Sequence, residues 1–226
     1  MIDEFKWIGT ELFQSGLIYS NGGDMSVRQG EKIFITRRDA MLHHLGDNDI
    51  IEVPLNGPSA QDAEASRELL VHRALYKSTN AQAIIHAHPV AAIAISISDN
   101  KVVPQDAEGA QLLKNVPIVR ASETIGSEDI ARLLPTLITK EGGVAVVKGH
   151  GSFAVAATLP EAYKFTSALE HSCRVLIALR STTPARPAQQ PYQRPQSSQQ
   201  QHRGAIPPGI GVMDRSRYRK RNIENR

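Results

Sequence analysis

Apolar positions along residues 1–180 alternate between the period of a helix and that of a strand, with turn residues at each change. The opening "MIDEFKWIGTELFQSG" reads as an amphipathic helix over 2–16 with acids near its start. The Gly-rich turn "SNGGD" follows, then strands at "MSVRQG" and "EKIFITR" joined as a hairpin, and a strand at "IIEVPL". Leu69, Leu70, Ala74 and Leu75 recur at the 3.6 period and predict a helix from about Ala63 to Lys77. The run "AQAIIHAHPVAAIAISIS" is β-branched at its front, and Pro89 denies a helix through His86 and His88. A buried strand therefore ends near His88, and a helix covers 89–97. Short strands around a loop are expected at "KVVPQDAEG" and "VPIVRA", and "GSEDI" gives a capping start to a helix over Ser127–Leu137. The segment "GGVAVVKGHGSFAVAAT" reads as strand, glycine-bounded His150, strand, and "LPEAYKFTSALEHSCRVLIALR" as a long final helix. Hairpins interleaved with helices predict an α/β domain with a largely antiparallel central sheet.

Composition places a boundary after Arg180. The stretch 181–204, "STTPARPAQQPYQRPQSSQQQHRG", has too few aliphatic residues to offset its ordering entropy and is expected to be a disordered linker. Residues 205–226 regain Ile, Val, Met and Tyr among arginines and form a basic tail that could dock on the body or a neighbour. The net charge of +3 divides at the same point: nine Lys and Arg face two acids in 181–226, whereas 17 face 21 in 1–180. The cluster "RSRYRKRNIENR" is a nucleic-acid feature in principle, but the body shows no basic face, and no nucleic-acid partner is expected. The one cysteine, Cys173, excludes an intrachain disulfide and Cys-rich zinc sites. No apolar run reaches a membrane span and the first residues do not read as a signal peptide, so a cytoplasmic protein with no membrane partner is expected.

Side chains two apart in a strand share a face, so His86 and His88 present two imidazoles together. They read either as core histidines bonded to backbone or as half of a divalent-metal site. His150, between Gly149 and Gly151 directly after a buried strand, is a solvent-facing turn residue if taken alone and a third ligand if taken with the pair. Three histidines leave one coordination position open, as in catalytic rather than structural zinc sites.

The ordered set "NGGDMSVR", "IFITRRDAML", "ASRELLVHRALY", "IIHAHPVAA" and "VVKGHGSFAVAATLPEAYKFTSALEHS" resembles the class II aldolase and adducin family over residues 1–180. The resemblance implies a three-layer α/β/α fold and a divalent metal, most often Zn2+, held by His86, His88 and His150. It places Glu68 as a further ligand that leaves the metal to shuttle a proton when substrate arrives. It implies cleavage of a phosphorylated ketose or related hydroxy-carbonyl compound to dihydroxyacetone phosphate and an aldehyde, in a homotetramer with sites at subunit interfaces. Other members are sugar-phosphate epimerases and dehydratases, which the ligand set does not separate from aldolases. Adducin heads keep the fold as a scaffold without the ligands, and the intact Glu68 and three histidines oppose that reading. His72, one turn beyond Glu68, is expected in hydrogen bonding behind the ligands or in core packing.

Departures from the aldolase pattern fall on the anion pocket. The family binds phosphate through an Asn in the Gly-rich turn, a Thr-Gly pair and two Ser before the Glu; this chain has Asp24, then Arg38 and Asp39, then Ser66 and Arg67. A carboxylate facing a phosphate is unfavourable without an intervening cation, which Arg37, Arg38 or Arg67 would supply. Asp24, Arg38, Ser66 and Arg67 are therefore the expected substrate-binding residues. Asp106 joins them as a second acid/base beside Glu108, the alternative being a plain helix N-terminal acid. Tyr192 and Tyr218 are the tail phenols, and the tail is a candidate cover for a neighbouring subunit's pocket.

Overall fold

The computed structural model describes residues 1–182. The expected linker and tail lie outside the described residues, apart from Ser181 and Thr182, which extend the last helix. Helices α1 (Ile2–Gln14), α2 (Leu69–Ser78), α3 (Val90–Ser98), α4 (Ala107–Leu112), α5 (Glu128–Leu133) and α6 (Leu159–Thr182) surround one sheet. Its strands are β1 (Asp24–Gln29), β2 (Lys32–Thr36), β3 (Ile50–Pro54), β4 (Ala83–Ala87), β5 (Lys101–Val102), β6 (Val116–Val119), β7 (Gly143–Val147) and β8 (Gly151–Ala156), in the order β3-β2-β1-β4-β8-β7-β6-β5.

The sheet is mixed rather than wholly antiparallel: β6 and β7 run parallel, and the other six pairings are antiparallel. A parallel pair needs a crossover between its strands, and the chain from Ser127 through α5 to Thr136 supplies it. The central strands are buried on both faces, which explains why β4 is apolar at every position but His86. Ala83, Ile85 and Ala87 pack into a cluster with Ile8 and Leu12 of α1, Ile95 of α3 and Leu169 of α6. Ile84 points the other way, into a cluster with Val71 and Leu75 of α2 and Ile130 of α5. By the period of two, His86 shares the face of Ile84.

Three elements differ from the pattern. The helix expected from Ala63 begins only at Leu69, because Ala60–Ala63 form a 3-10 turn and residues 64–68 bend toward the sheet. Helix α4 replaces the strand expected through residue 109: β5 stops at Val102, and Asp106 Oδ1 accepts the Gly109 N–H at 2.7 Å to cap a new helix. Helix α5 is capped by Ser127 as expected but gives way at Leu134 to a 3-10 turn containing Pro135. Among the described residues no helix is long and apolar enough to cross a membrane.

Candidate active site

Strand β4 and the β7–β8 turn bring the three histidines together. His86 is 2% exposed, and its Nδ1–H donates to the Ser152 carbonyl of β8 at 3.0 Å. That bond places the proton on Nδ1 and turns the Nε2 lone pair toward Nε2 of His88, 3.0 Å away. Phe153 stacks on His86 with ring centroids 4.3 Å apart, and Tyr19 stacks on His88 at 5.4 Å. His88 leaves the strand with its N–H bonded to the Leu17 carbonyl at 2.9 Å. His150 sits in the turn between β7 and β8, and one ring nitrogen from each histidine lies within 4.8 Å of the others.

The flanking glycines serve different needs. Gly149 has φ +70° and open space around its missing Cβ, so it is a backbone requirement. Gly151 is a space requirement: a Cβ there would stand 2.3 Å from the Ala87 carbonyl oxygen and 2.8 Å from Cδ2 of His88. Burial pulls the pKa of all three histidines down. His150 falls to about 4, with the neighbouring His88 adding to the effect, and for His86 both other imidazoles add to it. All three are neutral near pH 7, with ring nitrogens available as donors.

Glu68 occupies the N-cap position of α2. Its Oε1 accepts the Gly126 N–H at 2.8 Å, and its Oε2 is buried with no hydrogen-bond partner among the described residues. Burial first and the charge of Asp24 second push its carboxyl up to about 8. Asp24 anchors a polar chain beneath it. Its Oδ2 accepts from Ser66 Oγ at 2.7 Å and its Oδ1 lies 2.8 Å from His72 Nε2; His72 Nδ1 meets Ser26 Oγ at 2.7 Å, which meets the Tyr76 hydroxyl at 2.7 Å. Burial raises the Asp24 carboxyl, but His72, His86 and Ser66 together outweigh it and hold the group below its ordinary value. His72 is thus bonded behind the site, one of its two expected places.

A cavity of about 390 Å³ is lined by Asp24, Arg38, Ser66, Arg67, Glu68, His86, His88 and His150, so one site gathers every expected residue except Asp106. Asp106 caps α4 and borders a separate cavity with Tyr163 and His171. Arg37 is committed to Glu64 and the Asn48 carbonyl. Arg67 lies 3.5 Å from Asp39, and the guanidinium of Arg38 has no hydrogen-bonded or ionic partner among the described residues. The sequence reading missed the Gly126 N–H, the Ser152 carbonyl and the Tyr19 ring. The two backbone groups carry no side-chain signal, and Tyr19 stands only as one more aromatic before a Gly-rich turn.

The donors fit a divalent cation. Two imidazole nitrogens on a tetrahedral metal at about 2.05 Å stand roughly 3.3 Å apart, close to the 3.0 Å between His86 and His88. The unpartnered Glu68 oxygen is a hard donor in the lining of the same cavity, outside the close group that the three histidine nitrogens form.

The family described as Class II Aldolase and Adducin N-terminal domain matches residues 4–177. The chain is 27% identical over 175 residues to an L-fuculose phosphate aldolase of Methanocaldococcus jannaschii, covering 77% of this chain and 94% of that one. It is 30% identical over 183 residues to a methylthioribulose-1-phosphate dehydratase of Acidiphilium cryptum, covering 74% and 85%. The crystal structure of L-fuculose-1-phosphate aldolase from Thermus thermophilus superposes with a TM-score of 0.76 at 34% identity, covering 81% of this chain and 97% of the other.

Proposed function

The chain belongs to the class II aldolase and adducin family, and on that premise we propose that it is a metal-dependent aldolase acting on a phosphorylated ketose or a related hydroxy-carbonyl compound. One observation carries the reading: a buried carboxyl with an unpartnered oxygen lines the same cavity as three neutral imidazoles. His86, His88 and His150 hold the cation, read as Zn2+, with Glu68 as the further ligand. When bound, the cation supplies a Lewis acid that polarises adjacent carbonyl and hydroxyl oxygens.

The chain's own groups move the proton. As a ligand of the cation Glu68 would be ionised, and it accepts the hydroxyl proton as the carbon–carbon bond breaks, the electron pair passing onto the carbon next to the carbonyl, and then returns a proton to that carbon. Its Oε1 stays on the Gly126 N–H, which leaves Oε2 as the working oxygen. Arg38 and Arg67 receive the anionic end of the substrate. Asp24 is compatible with that end because its charge is already turned to His72 and Ser66. Asp106 has no part in the cavity of its own chain; a role for it requires a neighbour's cavity in a homotetramer.

The similarity to the Acidiphilium dehydratase supports a second reading, loss of water at the same centre. Product identification on a panel of ketose 1-phosphates and pentulose 5-phosphates separates the two. Dihydroxyacetone phosphate with an aldehyde supports the aldolase, and a dehydrated ketone supports the alternative. A chain that takes up no cation through the histidines and turns over none of the panel removes both.

A further inference from the structure

Helix α3 starts two residues after His88, and a helix start leaves free N–H groups that need acceptors. Pro89 occupies the N-cap position and has no side-chain oxygen to offer. The acceptor comes instead from α6. Glu170 takes the Ala91 N–H at 2.9 Å on Oε2 and 3.2 Å on Oε1, and the Ala92 N–H at 3.1 Å on Oε2, while Arg174 Nε holds Oε1 at 2.9 Å. Glu170 is 3% exposed. Burying a carboxylate is costly even when bonded, and an apolar side chain would fill the space at less expense. The same helix reaches the other ligand loop: Ser96 Oγ accepts the Gly149 N–H at 2.9 Å and donates to the Ile93 carbonyl at 2.6 Å. Gly149 immediately precedes His150.

We propose that Glu170 and Ser96 are positioning residues that make α3 a strut between His88 and His150, so that the separation of these two ligands is set by the helix as well as by the sheet. Glu170 fixes the end next to His88 and Ser96 fixes the turn next to His150; neither side chain touches the cation. The inference rests on the metal reading of the three histidines.

The test uses the full chain with Co2+ as probe, measuring affinity by chelator competition and the visible absorption of the saturated complex. Glu170→Gln and Ser96→Ala are each expected to weaken Co2+ binding by about 10- to 100-fold, the range for partners that orient metal ligands, and to shift the absorption bands. Ser96→Thr, which keeps the hydroxyl, is expected to restore both. Unchanged bands at saturation in both Glu170→Gln and Ser96→Ala overturn the strut, because a loss of general stability leaves the saturated complex unaltered. If Glu170→Gln does not fold, the Ser96 pair decides by the same criterion. Wild-type protein that takes up no Co2+ overturns the metal reading and the strut with it; wild-type binding with unaltered variants removes the strut alone.

Discussion

Substituting the two glycines around His150 separates the two reasons for their presence. In Gly151→Ala the new methyl would meet the Ala87 carbonyl at 2.3 Å, and contacts under 3.0 Å essentially do not occur. The strands must part by roughly 0.7 Å to relieve it, a cost of about 1–3 kcal/mol for overpacking a filled position. Ala87 lies between His86 and His88, and the methyl also approaches His88 Cδ2 at 2.8 Å and His86 Cε1 at 3.0 Å. The displacement therefore lands on the ligands, and cation affinity should fall at least tenfold. Gly149→Ala meets no atom within 4 Å, and its penalty is the left-handed backbone, about 1–2 kcal/mol. Its N–H still reaches Ser96, so cation affinity should change by less than about threefold. Denaturant unfolding of the metal-free proteins and chelator competition with Zn2+ read the two quantities. Equal stability loss in both variants is expected; equal affinity loss would refute the assignment of Gly151 to ligand packing.

Glu68→Gln should retain the fold and most of the cation while turnover drops by about 10²-fold or more, and unchanged turnover would remove Glu68 as the proton carrier. Arg38→Ala deletes a charged donor worth about 1.5–3 kcal/mol and should raise KM by roughly 10- to 100-fold with a smaller effect on kcat; an unchanged KM places the substrate anion elsewhere. The stability of the metal-free protein should peak near neutral pH. Below about 6.5 the unfolded chain protonates histidines that the fold keeps neutral, so acidification toward 4 destabilises. Between 4.5 and about 8 the folded Glu68 keeps a proton that the unfolded chain loses, so its contribution disappears as pH rises. Three histidines outweigh one glutamate in the acid range, and Glu68 acts alone above 6.5. Unfolding midpoints that fail to fall on both sides of neutrality would contradict these environments.

Local chemistry was legible where a single segment decides it. The β-branched front of "IIHAH" and the proline after it mark β4 and α3 within a residue or two, and Ser127 caps α5 as its spacing suggests. Helix α2 was misjudged at its start because apolar periodicity is blind to the bend that carries Ser66 Oγ to Asp24 and the Glu68 carboxyl to Gly126. Helix α4 was expected only through the alternative of Asp106 as a helix N-terminal acid, which is the role it has, because Gly109 lowers helix propensity; the reason for that glycine lies on α6, where a Cβ at 109 would stand 2.1 Å from Ser172 Oγ. The parallel pairing of β6 with β7 depends on how distant strands are ordered, which hydrophobic period does not encode. At the site the ligands were visible as motifs, whereas the partner that turns each one was not: the Ser152 carbonyl and the Gly126 N–H are backbone groups, and Glu170 lies 79 positions from the N–H it accepts.

The pairing of β4 with β8 also has a kinetic consequence. The contact that orients His86 joins positions 66 apart, so its loop must close before the three imidazoles face one another, and such non-local contacts form slowly. A cation finds no complete site on the chain until that closure has occurred. Its binding energy is then absent from the steps that precede closure and is felt when the strands come apart, so Zn2+ should slow unfolding while leaving the refolding rate nearly unchanged. Refolding accelerated by the cation in proportion to the stability gained would mean that the histidines meet early. With late closure, the metal protects a finished protein rather than guiding its chain.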